Sequence, residues 1–169
     1  IAQPAMYAIL TTFILSYLKL KNINTSIVLT SIIIASGFAV VTTPLWAKWS
    51  DKIGRTIPAT LGIVGMGIFV WAFFYFLDNG NLAYLPLVMI VFLAIFDAAV
   101  YSVGAAWFSE QFPVQVRYSG ISIGYQIGTL ISGGLTPFIA TWLLKVGNGS
   151  PYGVATYISF LSIVSLIAV

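Results

Sequence analysis

Apolar residues in this chain gather in long runs, and charged or turn-forming residues gather in the short gaps between them. Cutting at the gaps leaves six apolar segments, near residues 4–18, 25–48, 57–77, 83–108, 118–145 and 152–169. About 20 apolar residues cross a bilayer as a helix. The segments are too long and too continuous for barrel strands, which alternate. With no water in the hydrocarbon to bond stray backbone groups, they are predicted to be helices. The gaps carry turn chemistry: Lys19-Leu-Lys21-Asn-Ile-Asn24, Lys48-Trp-Ser-Asp51-Lys52-Ile-Gly54-Arg55, Asp78-Asn-Gly80-Asn, Glu110-Gln-Phe-Pro113 and Gly147-Asn-Gly149-Ser-Pro151. Such short connections make consecutive helices antiparallel neighbours. Pro44 and Pro137, late in the second and fifth segments, each remove a backbone donor and are predicted to kink their helices.

Composition strengthens the membrane reading. Sixty per cent of the 169 residues are hydrophobic and 7% are charged, mean hydropathy is +1.03, and a soluble domain carries about a quarter charged residues. Cysteine and histidine are absent, which excludes disulfides, zinc sites, imidazole bases and thiol nucleophiles. The net charge of +3 is spread over several loops, without the basic cluster that tracks nucleic acid. No cofactor and no metal are implied. Gly62-x-x-Gly65-x-Gly67 follows no strand, so a dinucleotide reading fails. Asn24-Thr-Ser26 and Asn148-Gly-Ser150 fit the glycosylation pattern, with no modification expected. The first segment has no Met or basic leader before it and the last stops at Val169 without a polar flank, so both ends are expected to be cuts through a longer protein.

An internal repeat adds architecture. Thr43 to Pro58 aligns without gaps on Thr136 to Pro151, with seven of 16 positions identical. Each copy covers a helix end, a loop and a proline suited to the first turn of the next helix. Three helices separate the copies, so they fall on opposite sides of the membrane. That is the pattern of an inverted three-plus-three repeat, a hallmark of secondary transporters. Lys48, Lys52, Arg55 and Arg117 lie on one side against Lys19, Lys21 and Lys145 on the other, a small bias toward the first side as cytoplasmic.

The loop Ala47-Lys-Trp-Ser-Asp51-Lys52-Ile-Gly54-Arg55-Thr56 resembles the signature between the second and third helices of each half of the major facilitator superfamily. Its Asp, turn Gly and first Arg are kept. Gly54 permits the tight turn, Asp51 favours a nearby helix N-terminus and Arg55 supplies a fixed charge. The stretch from Phe108 through Glu110, Pro113, Arg117 and Gly120 to Gly128 is similar to the metabolite:proton symporter family within that superfamily. The resemblance implies an all-α membrane protein: six transmembrane helices as a three-plus-three inverted repeat, residues 1–169 forming the C-terminal half of a 12-helix major facilitator fold. It places the loops at 48–56 and 109–118, with Asp51, Gly54, Arg55, Glu110 and Arg117, in the cytoplasm. The implied partners are a small-molecule substrate, a proton, the lipid bilayer and the N-terminal six-helix half.

Asp97 is the carboxylate that apolar residues enclose on both sides. A charge at membrane depth costs about 3 kcal/mol on insertion scales, so it faces a cavity, a partner or a proton path. Its expected role is proton carrier or counter-charge, against a structural pairing with the missing half. Asp97, Tyr101 and Gly104 share a helical face. On the first helix Gln3, Tyr7 and Thr11 recur every four residues, and the resemblance puts both helices at the cavity. On the fifth, Gly120, Gly124, Gly128 and Ser132 form a stripe suited to close packing, flanked by Tyr125, Gln126 and Thr129, with Gln126 the expected ligand contact. The function read from these features is proton-coupled symport of a small polar metabolite, an organic acid or a betaine- or proline-like zwitterion, across a bacterial inner membrane. The other reading is a membrane scaffold or sensor without transport. An enzyme is disfavoured, because one buried carboxylate without His, Cys or a second acid offers no base-and-nucleophile set.

Overall fold

A computed structural model describes residues 1–21, 25–79 and 82–169. The described chain is helical throughout its regular elements: α1 (2–20), α2 (Ser26–Ile53), α3 (Thr56–Asp78), α4 (Leu82–Glu110), α5 (Arg117–Val146) and α6 (Tyr152–Ile167). By length and composition α2, α3, α4 and α5 are able to cross a membrane, and α6 is apolar but runs 16 residues. Asn22, Ile23, Asn24, Gly80 and Asn81, counted among the turn residues, lie outside the described residues.

The ends of α2 and α5 follow backbone chemistry rather than hydropathy. The second apolar run stops at Lys48, yet α2 continues to Ile53, because the hydrogen-bond ladder does not need apolar side chains. Gly54 ends it at φ 92°, a left-handed conformation that glycine alone adopts cheaply, with its N–H bonded to Ser50 O at 2.9 Å. Past α5, Asn148 (φ 51°) and Gly149 (φ 86°) turn left-handed, and Gly149 N–H reaches back to Leu144 O at 2.8 Å, closing the helix end.

Three helices widen into π turns part-way along: α1 at Ile9–Phe13, α4 at Val91–Asp97 and α5 at Leu130–Gly134. In α5 the widened turn leads to a break at Leu135, and the helix restarts with Pro137 in its first turn, where the missing N–H costs nothing. Around Pro44 the helical pattern runs unbroken. Only the bond to the residue 40 carbonyl is lost, and the Thr43 hydroxyl satisfies the neighbouring Ala39 carbonyl at 2.7 Å.

The core joins α1, α3 and α4 through buried rings. Phe13, Tyr17 and Phe74 meet edge to face or stacked, and Phe92 packs against Phe73 and Phe69. In lipid, where apolar side chains gain nothing by hiding from their solvent, such fitted contacts hold helices together. The glycines of α3, dismissed above as a nucleotide motif, are part of this fit. Gly65 admits the Phe96 ring of α4, Gly62 admits Val100 and Phe96, and Gly67 faces Ser162 of α6. Ser159 of α6 donates to Gly67 O at 2.8 Å and accepts from Trp71 Nε1 at 2.9 Å. By contrast α2 and α5 are mostly uncovered, burying only four described residues each along the whole helix.

Candidate functional site

A cavity of about 630 Å³ lies between α1, α2, α4 and α5. Every widened turn contributes to its wall: Thr11 and Thr12 from α1, Leu93 and Asp97 from α4, Gly133 from α5. A π turn inserts one residue more than an α turn, rotates the side chains that follow and is frequent at functional sites. Here it ends on Asp97 itself.

The chemistry of the wall centres on one bond. Gln3 Nε2 of α1 donates to Asp97 Oδ1 of α4 at 2.8 Å. Because three reversals of direction separate α1 from α4, the two helices run antiparallel. Tyr7, four residues beyond Gln3, therefore stands about 6 Å to one side of this bond along the helix axes, and Tyr101, four beyond Asp97, about 6 Å to the other. Tyr125 enters from α5, and Ser36 and Thr43 from α2. Thr129 also lines the cavity, and its hydroxyl is buried with no hydrogen-bond partner among the described residues. No Lys or Arg is among the described lining residues.

Of the residues singled out in the sequence, Asp97, Tyr101, Tyr7, Thr11 and Tyr125 come together on this wall. Gln126 does not: it is exposed on α5 and off the wall, since successive helical residues point 100° apart and Tyr125 takes the inward position. Gly120 sits against the Phe112 ring, while Gly124 and Gly128 face open space. Their stripe therefore meets nothing among the described residues at those two positions. The Gln3 to Asp97 bond and the widened turns have no separate signal in the sequence, although Gln3 and Thr129 stand out there as polar residues on apolar helices.

Two polar clusters tie the helix ends. At one, Arg55 Nη1 donates to Asp51 Oδ1 and to Ser50 Oγ at 2.7 Å, and its Nε stands 3.5 Å from Glu110 Oε1. The turn after α2 is thus joined to the end of α4. Arg117 Nε donates to Phe112 O at 3.3 Å and closes the turn before α5. At the opposite end Lys21 pairs with Asp78 and lies over the Tyr17 ring, 5.2 Å from its centroid, while Tyr17 Oη donates to Asp78 at 3.3 Å. The hydrogen bond that Lys21 donates to Asp78 raises its ammonium above its ordinary pKa. Sequence reading alone had not linked Arg55 to Glu110, or Lys21 to Asp78.

The family model for the Major Facilitator Superfamily matches residues 3–169. The chain belongs to the major facilitator superfamily. Among curated relatives, it is 31% identical over 170 residues to the proline/betaine transporter of Escherichia coli, covering 99% of this chain and 33% of that protein. It is 30% identical over 169 residues to the glycine betaine/proline/ectoine/pipecolic acid transporter of Dickeya dadantii, again with 99% and 33% coverage. With the shikimate transporter of Escherichia coli it shares 29% identity over 126 residues, 75% of this chain and 29% of that protein. The chain spans about a third of the length of these relatives. No solved structure matches it. As a major facilitator chain with four helices of spanning length, it is part of a multi-pass integral membrane protein.

Proposed function

We propose that this chain is the C-terminal six-helix half of a 12-helix transporter in a bacterial inner membrane, with α1 to α6 all spanning as two inverted three-helix repeats. The protein carries a small polar metabolite across the membrane together with a proton, by rocking this half against an N-terminal half around a midplane site. The observation that carries the reading is the Gln3 to Asp97 bond on a cavity wall. Each partner comes from the first helix of its repeat. An intramembrane carboxylate is retained where it serves a pathway, and here it lies in the middle of α4, at a widened turn, beside open space. The uncovered faces of α2 and α5, including Gly124 and Gly128, are where the N-terminal half would sit. The loops holding Asp51, Gly54, Arg55, Glu110 and Arg117 face the cytoplasm in this arrangement, and the Arg55 cluster braces them. The solute is an organic acid or a betaine- or proline-like zwitterion, in keeping with relatives named for shikimate, proline and betaine.

The test is uptake of labelled organic acids and zwitterions into vesicles bearing the full-length protein, with and without an inward proton gradient. Uptake of one class should rise severalfold with the gradient and fall to the basal level when an uncoupler dissipates it. No uptake across a broad panel would favour a scaffold or sensor instead.

A further inference from the structure

Resting on the transport reading above, we infer that the cavity wall around Asp97 seats a compact cationic group, so that the solute is a zwitterion of the betaine or imino-acid kind and Asp97 is its counter-charge. Three features of the wall point the same way. The first is charge. Asp97 is the one Asp, Glu, Lys or Arg among the described lining residues, so a solute that is only an anion meets repulsion from this wall, and a cation meets attraction. Gln3 occupies Oδ1 of the carboxylate, and among the described residues no hydrogen bond is made to Oδ2.

The second is aromatic surface. Tyr7, Tyr101 and Tyr125 line the same cavity from three different helices, and are 51%, 61% and 42% exposed. Ring faces attract cations, and aromatic surface is what recognises quaternary ammonium groups. None of the three has a cation of the protein over it among the described residues; the one such contact there is Lys21 over Tyr17, at the far end of α1. The third is the Thr129 hydroxyl, a buried donor without a partner among the described residues, which suits the anionic end of the same solute. A carboxyl that has taken up a proton no longer offers a counter-charge. If Asp97 holds the solute, the coupling proton is therefore carried elsewhere in the full-length protein.

A pair of probes of equal shape isolates the charge: glycine betaine and tert-butylacetate, in which carbon replaces the quaternary nitrogen. In vesicles bearing the full-length protein, betaine should be taken up, and tert-butylacetate should compete with it about tenfold more weakly or worse. Asp97→Asn should raise the KM for betaine about tenfold while the stimulation by the proton gradient persists. Tyr101→Leu should weaken betaine uptake more than Tyr101→Phe, which keeps the ring. Equal competition by the two probes would overturn the inference, and that comparison needs no variant to fold. An Asp97→Asn protein with unchanged KM for betaine, or gradient-driven uptake confined to acids lacking a cation, would overturn it as well while leaving the transport reading standing. If neither zwitterions nor acids are taken up, the transport reading itself fails, and this inference with it.

Discussion

Gly65→Ala should destabilise the fold by about 1–3 kcal/mol, whereas Gly104→Ala should cost nothing measurable. A methyl group at Gly65 would overlap the Phe96 ring, while one at Gly104 meets its nearest neighbour, Phe108, at an ordinary 3.9 Å. Alanine is otherwise the better helix former, so a loss at Gly65 reports packing alone. Phe96 has little room to retreat, since its ring lies 5.8 Å from that of Phe69 and 6.2 Å from that of Phe92. It also precedes Asp97 in the widened turn of α4. Displacing it should therefore disturb the cavity as well as the fold. Thermal unfolding of the full-length protein in detergent measures the first effect, and equal stability of the two variants would show that the α3 to α4 contact is looser than described.

The second large effect is expected at Gln3. Gln3→Leu removes the side-chain donor to Asp97 at nearly constant volume and leaves a half-buried carboxylate without it. Hydrogen bonds to charged groups are worth about 1.5–3 kcal/mol, and every 1.4 kcal/mol is a factor of ten. Uptake by the full-length protein should thus fall between about tenfold and a hundredfold. Gln3→Glu should be worse, because it sets a second carboxylate against the first at about 3 Å, where like charges repel. Unchanged uptake kinetics in Gln3→Leu would mean that the bond joining α1 and α4 does not shape the site.

The lipid-facing physics explains what could be read from the residues alone. A span must satisfy its backbone internally, so long apolar runs betray helices, and a lone Asp within such a run stands out. Gly54 was legible for the same kind of reason, because a turn that needs positive φ selects glycine. Helix ends beyond the apolar boundary were not legible: Lys48 marks where hydropathy stops, and Ile53 marks where hydrogen bonding stops. The widened turns at Ile9–Phe13, Val91–Asp97 and Leu130–Gly134 leave no trace in hydropathy, since one extra residue per turn changes neither composition nor run length. They rotate the side chains that follow them, whereas the inward member of the Tyr125 and Gln126 pair, ahead of the turn in α5, is set by how α5 packs, which hydropathy does not record. The close approach of Gly65 to Phe96 was missed for another reason. Small residues on an apolar helix look alike in sequence whether they face a ring, as Gly65 does, or open space, as Gly124 does.

That the cavity between α1, α2, α4 and α5 is the solute's path can be tested by chemistry this chain invites, because it contains no cysteine. Single cysteines would be placed at Thr11 and Tyr125 on the cavity wall and at Ile68, exposed on α3, in the full-length protein with any cysteine outside this chain replaced. Labelling by a membrane-impermeant thiol reagent would then be followed with and without solute. The account predicts that Thr11→Cys and Tyr125→Cys are labelled and that transported solute slows their labelling, while Ile68→Cys, facing lipid, reacts poorly and is indifferent to solute. Wall positions that stay unlabelled, or that label at the same rate with and without solute, would contradict it.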